Sequence, residues 1–181
     1  MKLMLDSMLD YSRYNAKAIS GKTADLASVI NDVIENCDIQ RFESCIHVNA
    51  HDVPRLKGDP LLLAHVFQNL ISNSIKFRGC DDLRIDIDVM HTTRQVYIRL
   101  TDNGIGIEPQ FADRVFDMFC RLHDEDEYEG TGIGLAVCRK IVNDHGGRIS
   151  VDKSYEGGTR IIMMLLTAND GQQSGHDRAV A

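Results

Sequence analysis

The first residues of the chain place apolar side chains at helical spacing. The side chains that form this stripe are Met1, Met4, Leu5, Met8 and Leu9. The spacing predicts a helix over residues 1–17, with Gly21 beyond its end. Because no N-capping residue precedes this helix, we expect it to be the end of a longer helix that packs on a partner. Docking on its own domain is the alternative.

Two further amphipathic helices are predicted before the middle of the chain. The first has an apolar stripe formed by Leu26, Val29, Ile30, Val33 and Ile34. The second begins at Asp59-Pro60, where a capping carboxylate precedes a proline at the first helical position. We expect this second helix to run to about Phe77.

Apolar and polar residues alternate in several short stretches, which predicts β-strands. The alternation is regular over Leu83–Val89 and Val96–Thr101 and is typical of antiparallel strands with one solvated face. Further strands are predicted over residues 44–50, 148–152 and 159–166.

Helical patterns return at Phe111–Leu122 and Ile133–His145, and from Ala168 the composition becomes polar. The pattern therefore divides the chain into an N-terminal helical segment over 1–20, one domain over 21–167 and a disordered tail over 168–181.

Composition limits the classes of protein to which the chain can belong. Its 181 residues are 43% hydrophobic, which suffices for one globular domain with appendages. Twenty Lys and Arg against 27 Asp and Glu give a net charge of −7, which argues against a nucleic-acid binder. A few local donors can nevertheless hold an anionic ligand in an acidic protein.

The sequence pattern predicts neither a membrane-spanning segment nor a signal peptide. The longest apolar run, Ile161–Leu166, is far shorter than the ~20 residues that cross a bilayer. Asp6 and Asp10 make the N-terminal segment a poor signal peptide. The cysteines are five in number and scattered, with no C-x-x-C pattern: Cys37, Cys45, Cys80, Cys120 and Cys138. We expect reduced thiols, a cytoplasmic location and no direct membrane contact by this chain.

The helix predicted after Asp59 presents amides and an ammonium group on one face. At about 100° per residue, Asn69 and Asn73 lie on the same side, with Lys76 close by and His65 one turn earlier. A carboxamide oxygen is a neutral hard ligand that suits Mg²⁺, and Lys76 supplies positive charge at phosphate range. A solvated surface face is the alternative for a helix considered alone.

The stretch TDNGIGI ends a predicted strand at a carboxylate and then turns at glycines. Burial of Asp102 without a partner would be costly, and the amino group of adenine is a suitable donor to it. A plain turn is the alternative, since Asn-Gly is common in turns.

A glycine-rich loop, GTGIGLA, opens the helix predicted over Ile133–His145. Backbone N–H groups at a helix start attract anions, and glycines allow a close approach. The chain contains no G-x-x-x-x-G-K-[ST], and no G-x-G-x-x-G/A follows a strand in register. A Walker-type kinase and a Rossmann dehydrogenase are therefore disfavoured.

The segment between the two glycine motifs combines phenylalanines, an arginine and acids. Phe116 and Phe119 are three residues apart and are predicted to anchor one helix face in the core. Arg121 lies where it could reach a terminal phosphate. Residues 123–129, HDEDEYE, are predicted to form a flexible lid, with a simple exposed loop as the alternative.

These motifs, in this order, resemble the ATP-binding catalytic domain of sensor histidine kinases, the enzymes of two-component signalling. NLISNSIKF resembles the N box, DNGIGI and GTGIGLA the first two glycine boxes, FDMF the F box, and GGT the third glycine box. The resemblance covers about Ala24 to Leu166. The stretch MLDYSRY resembles the end of the dimerisation helix that precedes such domains.

The resemblance implies the GHKL or Bergerat fold, which gyrase-type and Hsp90-type ATPases share. That fold is α/β: a two-layer α+β sandwich with a mixed sheet packed on about three helices. It implies that Asn73 ligates Mg²⁺ with help from Asn69, and that Lys76 and Arg121 contact phosphates. Asn69, Lys76 and Arg121 are the implied catalytic residues. The remaining implied nucleotide contacts are Asp102, which would bond the adenine amino group, Gly104, Gly106, Gly130, Thr131, Gly132, Gly134, Leu135 and Thr159.

Asn69 bears on the type of reaction. Related hydrolytic ATPases carry a glutamate there to activate water, and an asparagine cannot act as a general base. The resemblance therefore implies transfer of the γ-phosphoryl group of ATP to a histidine, by positioning and charge neutralisation. His51-Asp52-Val53-Pro54 superficially resembles an acceptor motif but falls in a strand-to-loop stretch. We expect the acceptor on a histidine-containing dimerisation domain outside this chain.

One departure from the family leaves alternatives open. The lid over 123–129 has five acids and no Lys or Arg, whereas many relatives place a base there. A degenerate module that binds nucleotide or a response regulator without phosphoryl transfer is therefore the second hypothesis, and a stand-alone ATPase is the third. The implied partners are ATP and ADP, the dimerisation domain, a response regulator and a second copy of the chain through the N-terminal helix. No nucleic-acid partner is expected.

Overall fold

The structure, a computed structural model, describes residues 21–35, 42–79, 82–122 and 130–168. The helix predicted over 1–17, the lid over 123–129 and nearly all of the tail predicted over 168–181 lie outside these ranges. Their predicted structure, and the dimer contact assigned to the N-terminal helix, therefore stay predictions.

Three α-helices form where local sequence signals predict them. Helix α1 spans Leu26–Ile34, α2 spans Pro60–Lys76 and α3 spans Gly134–Asp144. The carboxylate of Asp59 caps α2 by accepting a hydrogen bond from the N–H of Leu61 at 3.0 Å. A carboxylate cap followed by a proline at the first helical position stabilises this helix start, as predicted.

Five strands form one mixed sheet. They are β2 (Ile46–Asn49), β4 (Ile85–His91), β5 (Gln95–Asp102), β6 (Arg148–Val151) and β7 (Arg160–Leu166). Their order is β2-β4-β5-β7-β6, with β2 parallel to β4 and the other neighbours antiparallel. Two short strands that were not predicted, β1 (Thr23–Ala24) and β3 (Leu56–Lys57), form a separate antiparallel pair.

The sheet and the helices form two layers around one core. Alternate residues of β4, β5 and β7 point toward the helices and are buried: Ile85, Ile87, Val96, Ile98, Leu100, Ile161, Met163 and Leu165. The opposite face carries polar pairs such as Arg99 with Asp88, whose side chains are 2.9 Å apart. The predicted fold, a mixed sheet packed on three helices, is confirmed. In the described part of the chain, none of the helices has the length and apolarity needed to span a bilayer.

Two predicted elements differ from the observed ones. The helix predicted over Phe111–Leu122 is wrong: only a 3₁₀ turn forms, over Arg114–Phe116. Phe116 is buried, but Phe119 has a φ of +63° and is 43% exposed, so the two rings do not share one buried helix face. The strand predicted from Leu83 begins two residues later, at Ile85, although Leu83 is itself buried.

Candidate functional site

A cavity of about 320 Å³ opens between α2, the end of β5 and the start of α3. This volume is within the range of small-ligand pockets. Gly104 does not line it, but the other predicted site residues all do: Asn69, Asn73, Lys76, Asp102, Gly106, Arg121, Gly130, Thr131, Gly132, Gly134, Leu135 and Thr159. The fold thus brings together residues from four separate motifs, while the role assigned to each stays a prediction.

Asp102 forms the polar floor at one end of the cavity. Its side chain is buried, and Oδ2 accepts a hydrogen bond from Ser74 Oγ at 2.7 Å. Oδ1 accepts from the N–H groups of Gly104 and Thr159, each at 3.0 Å. Three donors from three segments of the protein therefore hold this buried carboxylate in place. A carboxylate has about four acceptor positions, so one stays available to a ligand.

Ser74 is the site residue that the sequence analysis missed. It lies on α2 one helical turn after Leu70, on the apolar side of the helix, and is buried. A hydroxyl on a buried helix face requires a hydrogen-bond partner, and this is a signal that was present in the sequence. That partner is the carboxylate of Asp102, 28 residues further along the chain.

A backbone crossing behind Asp102 explains the third glycine motif. Gly158 has a φ of +134°, and a Cβ added there would lie 2.2 Å from the carbonyl oxygen of Asp102. Only glycine allows this approach, which brings the N–H of Thr159 to the carboxylate. The GGT motif therefore belongs to the same end of the cavity as the first glycine motif.

The walls beside Asp102 are aliphatic. Leu100, Ile107, Val115, Leu135 and Ile161 line the cavity, and Ile105, which is 45% exposed, lies at its mouth. Apolar walls and one fixed acceptor suit an apolar heterocycle that carries an amino group.

The other end of the cavity carries amides and cations. Asn69 Nδ2 donates to the backbone oxygen of His65 at 3.0 Å, and a Cβ added to Gly134 would lie 2.7 Å from Asn69 Oδ1. A Cβ added to Gly130 would lie 2.8 Å from the ammonium nitrogen of Lys76. Both glycines therefore let the loop approach α2 closely.

The start of α3 adds donors to this polar end. The helix begins at Gly134, and no side chain caps its first turn. Its first N–H groups have no partner within the helix and favour an anion, as helix starts do. Arg121 and Lys76 also line the cavity, and Lys76 lies close to Gly130 in the loop before α3, so the cavity combines positive charge with backbone donors.

The donor set fits Mg²⁺ held jointly with phosphate oxygens. Among the described residues, no cluster of three or more His, Cys, Asp or Glu side chains could hold a metal ion alone. Asn69 and Asn73 lie one turn apart on α2 and both face the cavity. Their carboxamide oxygens are hard, neutral ligands of the kind Mg²⁺ accepts when phosphate and water complete its shell.

A backbone hydrogen bond joins the segment after the 3₁₀ turn to the glycine-rich loop. The N–H of Phe119 donates to the carbonyl oxygen of Gly132 at 3.0 Å. On the same segment, Asp117 pairs with Arg139 of α3 at 2.9 Å. These contacts between distant residues, and not a helix, place Cys120 and Arg121 at the cavity.

Comparison with known proteins agrees with this geometry. The family described as histidine kinase-, DNA gyrase B- and HSP90-like ATPases matches residues 58–169. Cyanobacterial phytochrome A of Nostoc is 37% identical over 160 residues, which cover 88% of this chain and 21% of that protein. The sensory kinase SasA of Synechocystis is 35% identical over 78% of this chain and 38% of its own length.

A solved structure has the same fold. The mycobacterial sensor histidine kinase MprB is 26% identical with a TM-score of 0.67, over 80% of this chain and 97% of that structure. The chain belongs to the family of histidine kinase-, gyrase B- and HSP90-like ATPases, since the family match covers more than half of it. ATP use follows from this membership. The chain spans about a fifth of the length of the phytochrome that it matches.

Proposed function

We propose that this chain is the catalytic domain of a protein-histidine kinase, which transfers the γ-phosphoryl group of ATP to a histidine outside the chain. One observation carries the proposal. A single cavity holds a fixed carboxylate, Asp102, at its apolar end and the amides and cations of Asn73, Lys76 and Arg121 at its polar end. A purine nucleotide has matching chemistry at its two ends.

At the apolar end, Asp102 would accept a hydrogen bond from the adenine amino group. Ser74, Gly104 and Thr159 occupy the other acceptor positions and hold the carboxylate in place. A guanine in the same pose would place a carbonyl oxygen against a carboxylate oxygen, which is repulsive. The proposed site therefore selects adenine by charge as well as by shape.

At the polar end, Asn73 and Asn69 would hold Mg²⁺, which would neutralise part of the phosphate charge. Lys76 and Arg121 would contact phosphate oxygens directly, and the N–H groups at the start of α3 would receive them. We assign Gly130, Thr131 and Gly132 to a loop around the phosphates, and Gly134 and Leu135 to the first turn of α3 beside it.

The proposed reaction is an in-line displacement at the γ-phosphorus. A lone pair on an imidazole nitrogen forms the new P–N bond as the P–O bond to the β-phosphate breaks, and ADP leaves with that electron pair. Asn69 cannot activate water as a general base, so hydrolysis is not assisted at that position. The residues of this chain act by orienting the triphosphate and stabilising its charge.

We assign the acceptor histidine to a dimerisation domain outside this chain. None of the histidines in the described ranges lines the cavity. His51 lies in a loop after β2, as its sequence context predicted. A homodimer through residues 1–20 and a response regulator that receives the phosphoryl group are the further proposed partners.

Phosphohistidine formation tests the proposal. The chain is mixed with γ-phosphate-labelled ATP, Mg²⁺ and a dimerisation domain from a sensor histidine kinase that carries its acceptor histidine. We expect label on that histidine, stable to base and labile to acid, and none when the histidine is replaced by Gln.

Two results would count against a kinase. Nucleotide binding by calorimetry without any labelling, with dimerisation domains from several relatives, would favour the degenerate module. Steady release of phosphate from ATP by the chain alone would favour a stand-alone ATPase.

A further inference from the structure

A buried histidine lies at the end of α3 that is remote from the cavity. His145 is 4% exposed, and both of its ring nitrogens have hydrogen-bond partners. Nδ1 lies 2.7 Å from the carbonyl oxygen of Ile141, and Nε2 accepts from the N–H of Asp59 at 3.1 Å. These partners require the neutral ring with its proton on Nδ1, because a carbonyl can only accept and an amide N–H can only donate.

The start of α2 is built around this ring. A Cβ added to Gly58 would lie 2.2 Å from Cδ2 of His145. The imidazole therefore occupies the space that a side chain at position 58 would need. The carboxylate of Asp59 caps α2 and pairs with Lys22. Burial raises the pKa of the Asp59 carboxyl, but Lys22 and the N–H of Leu61 outweigh it and hold that pKa below its usual value. The carboxylate is therefore ionised at neutral pH.

Helices α2 and α3 run antiparallel in close contact. Three contacts mark their course: Asp59 with His145, the carbonyl oxygen of Val66 with Sγ of Cys138 at 3.8 Å, and Asn69 with Gly134. The residue number falls along α3 as it rises along α2. The His145 contact lies at one end of this helix pair, and the contact between Asn69 and the first turn of α3 lies at the other, inside the cavity.

We propose that His145 is a positioning residue for the nucleotide site. By fixing the start of α2 to the end of α3, its ring sets how the amide face of α2 meets the first turn of α3. Protein interiors are close-packed, so a change at one end of such a pair is transmitted along it. The proposal rests on the proposed function, because it takes the gap between Asn69 and Gly134 to be where phosphates bind.

Two substitutions of His145 distinguish the hydrogen bond of Nε2 from that of Nδ1. Gln places an amide oxygen near the position of Nε2 and can still accept from the N–H of Asp59, whereas Asn reaches only the position of Nδ1. We expect His145→Asn to weaken ADP binding about fivefold, the effect of one buried hydrogen bond, and His145→Gln to restore most of the loss. Calorimetry with ADP and Mg²⁺ measures both.

A core substitution far from this helix pair is the matched control. Ile46 is buried on β2, at the opposite edge of the sheet from β6, and does not line the cavity. Ile46→Val lowers stability by an amount similar to the loss of one hydrogen bond and should leave ADP affinity unchanged. If His145→Asn lowers the melting temperature as Ile46→Val does and also leaves ADP affinity unchanged, the proposal is overturned.

A measurement without nucleotide separates failure of this proposal from failure of the proposed function. In amide NMR spectra of the free protein, His145→Asn should shift the backbone signal of Gly134 and the side-chain signal of Asn69, and Ile46→Val should shift neither. If His145→Asn produced those shifts and the wild-type chain bound no ADP, the result would support the role of His145 in setting the contact between α2 and α3. The same result would refute the nucleotide site. Absence of the shifts would overturn the positioning role whatever the chain binds.

Discussion

The two ends of the cavity are built in different ways. We call the apolar end of the cavity the base end, after its proposed ligand. There, three donors among the described residues bond the carboxylate of Asp102, and the backbone at Gly158 packs against the carbonyl group of Asp102. We call the polar end the phosphate end, for the same reason. It is lined by residues from three segments of the chain: Lys76, Arg121 and the loop of Gly130. The carboxylate of the base end is thus held by the fold itself, whereas the phosphate end is lined by half-buried cations from separate segments.

Because of this difference, substitutions at the two ends should affect stability and ligand affinity in different proportions. A substitution at the base end removes a group that folding itself uses, so it should lower stability and affinity together. A substitution at the phosphate end removes a charge from a half-buried side chain that borders the cavity, so it should lower affinity more than stability.

The largest effect is expected at Asp102. In Asp102→Asn, the amide NH₂ group must face at least one of the donors that now bond the carboxylate, and the charge is lost. We expect ADP affinity to fall about 100-fold and the free energy of unfolding to fall by about 1–3 kcal/mol. Calorimetry and urea unfolding measure the two quantities.

Asp88→Asn is the matched control, since Asp88 pairs with Arg99 on the outer face of the sheet. Removal of this partly exposed pair should cost less than about 1 kcal/mol in stability and leave ADP affinity unchanged. Affinity of Asp102→Asn within threefold of wild type would refute the role given to the base end.

Lys76→Ala tests the phosphate end. We expect about tenfold weaker binding of ATP and ADP, because one charge-assisted contact is lost. The free energy of unfolding in urea should fall by less than about 1 kcal/mol, because Lys76 is only half-buried. Adenosine, which has no phosphate, should bind wild type and variant equally. Equal losses for adenosine and ATP would mean that Lys76 acts through the structure of the pocket, and the contrast between the two ends would fail.

Sequence patterns predicted what local chemistry determines. The Asp59-Pro60 helix start and the alternating strands β4 and β5 depend on neighbouring residues, and they form as predicted. The parallel pairing of β2 with β4 was not predicted, since strand pairing is a contact between distant segments. The likeness to a known family, and not spacing alone, supplied the roles of the site residues.

The incorrect helix has a physical cause of the same kind. Phe116 and Phe119 have helical spacing, but the N–H of Phe119 bonds Gly132, on the far side of the lid, and its φ is positive. This non-local contact replaces the hydrogen bond that a helix would have made. The hydrogen bond from Ser74 to Asp102 was missed for the same reason, because the two residues lie 28 positions apart in the chain.

Ser74→Ala should have a smaller effect than Asp102→Asn. It removes one of the three donors to the carboxylate and leaves the acceptor and its charge in place. We expect a loss of about 1 kcal/mol in stability and about fivefold in ADP affinity. Ser28→Ala, at an exposed position of α1 outside the cavity, is the control and should change neither quantity. A loss of affinity without any loss of stability would contradict the view that the base end is part of the fold.

The smallest effect concerns cysteines at different depths. Burial raises the pKa of the Cys138 thiol to about 12, so at pH 8 only about one thiol in ten thousand is the reactive thiolate. Cys138 should therefore resist alkylation in the folded chain and react only after unfolding.

Cys120 lines the cavity, as does its neighbour Arg121, whereas Cys45 is partly exposed and does not line the cavity. ADP with Mg²⁺ should slow labelling of Cys120 about threefold and leave Cys45 unchanged, as followed by peptide mass spectrometry. Equal protection of both would mean that the nucleotide stabilises the whole fold, without covering Cys120 in particular.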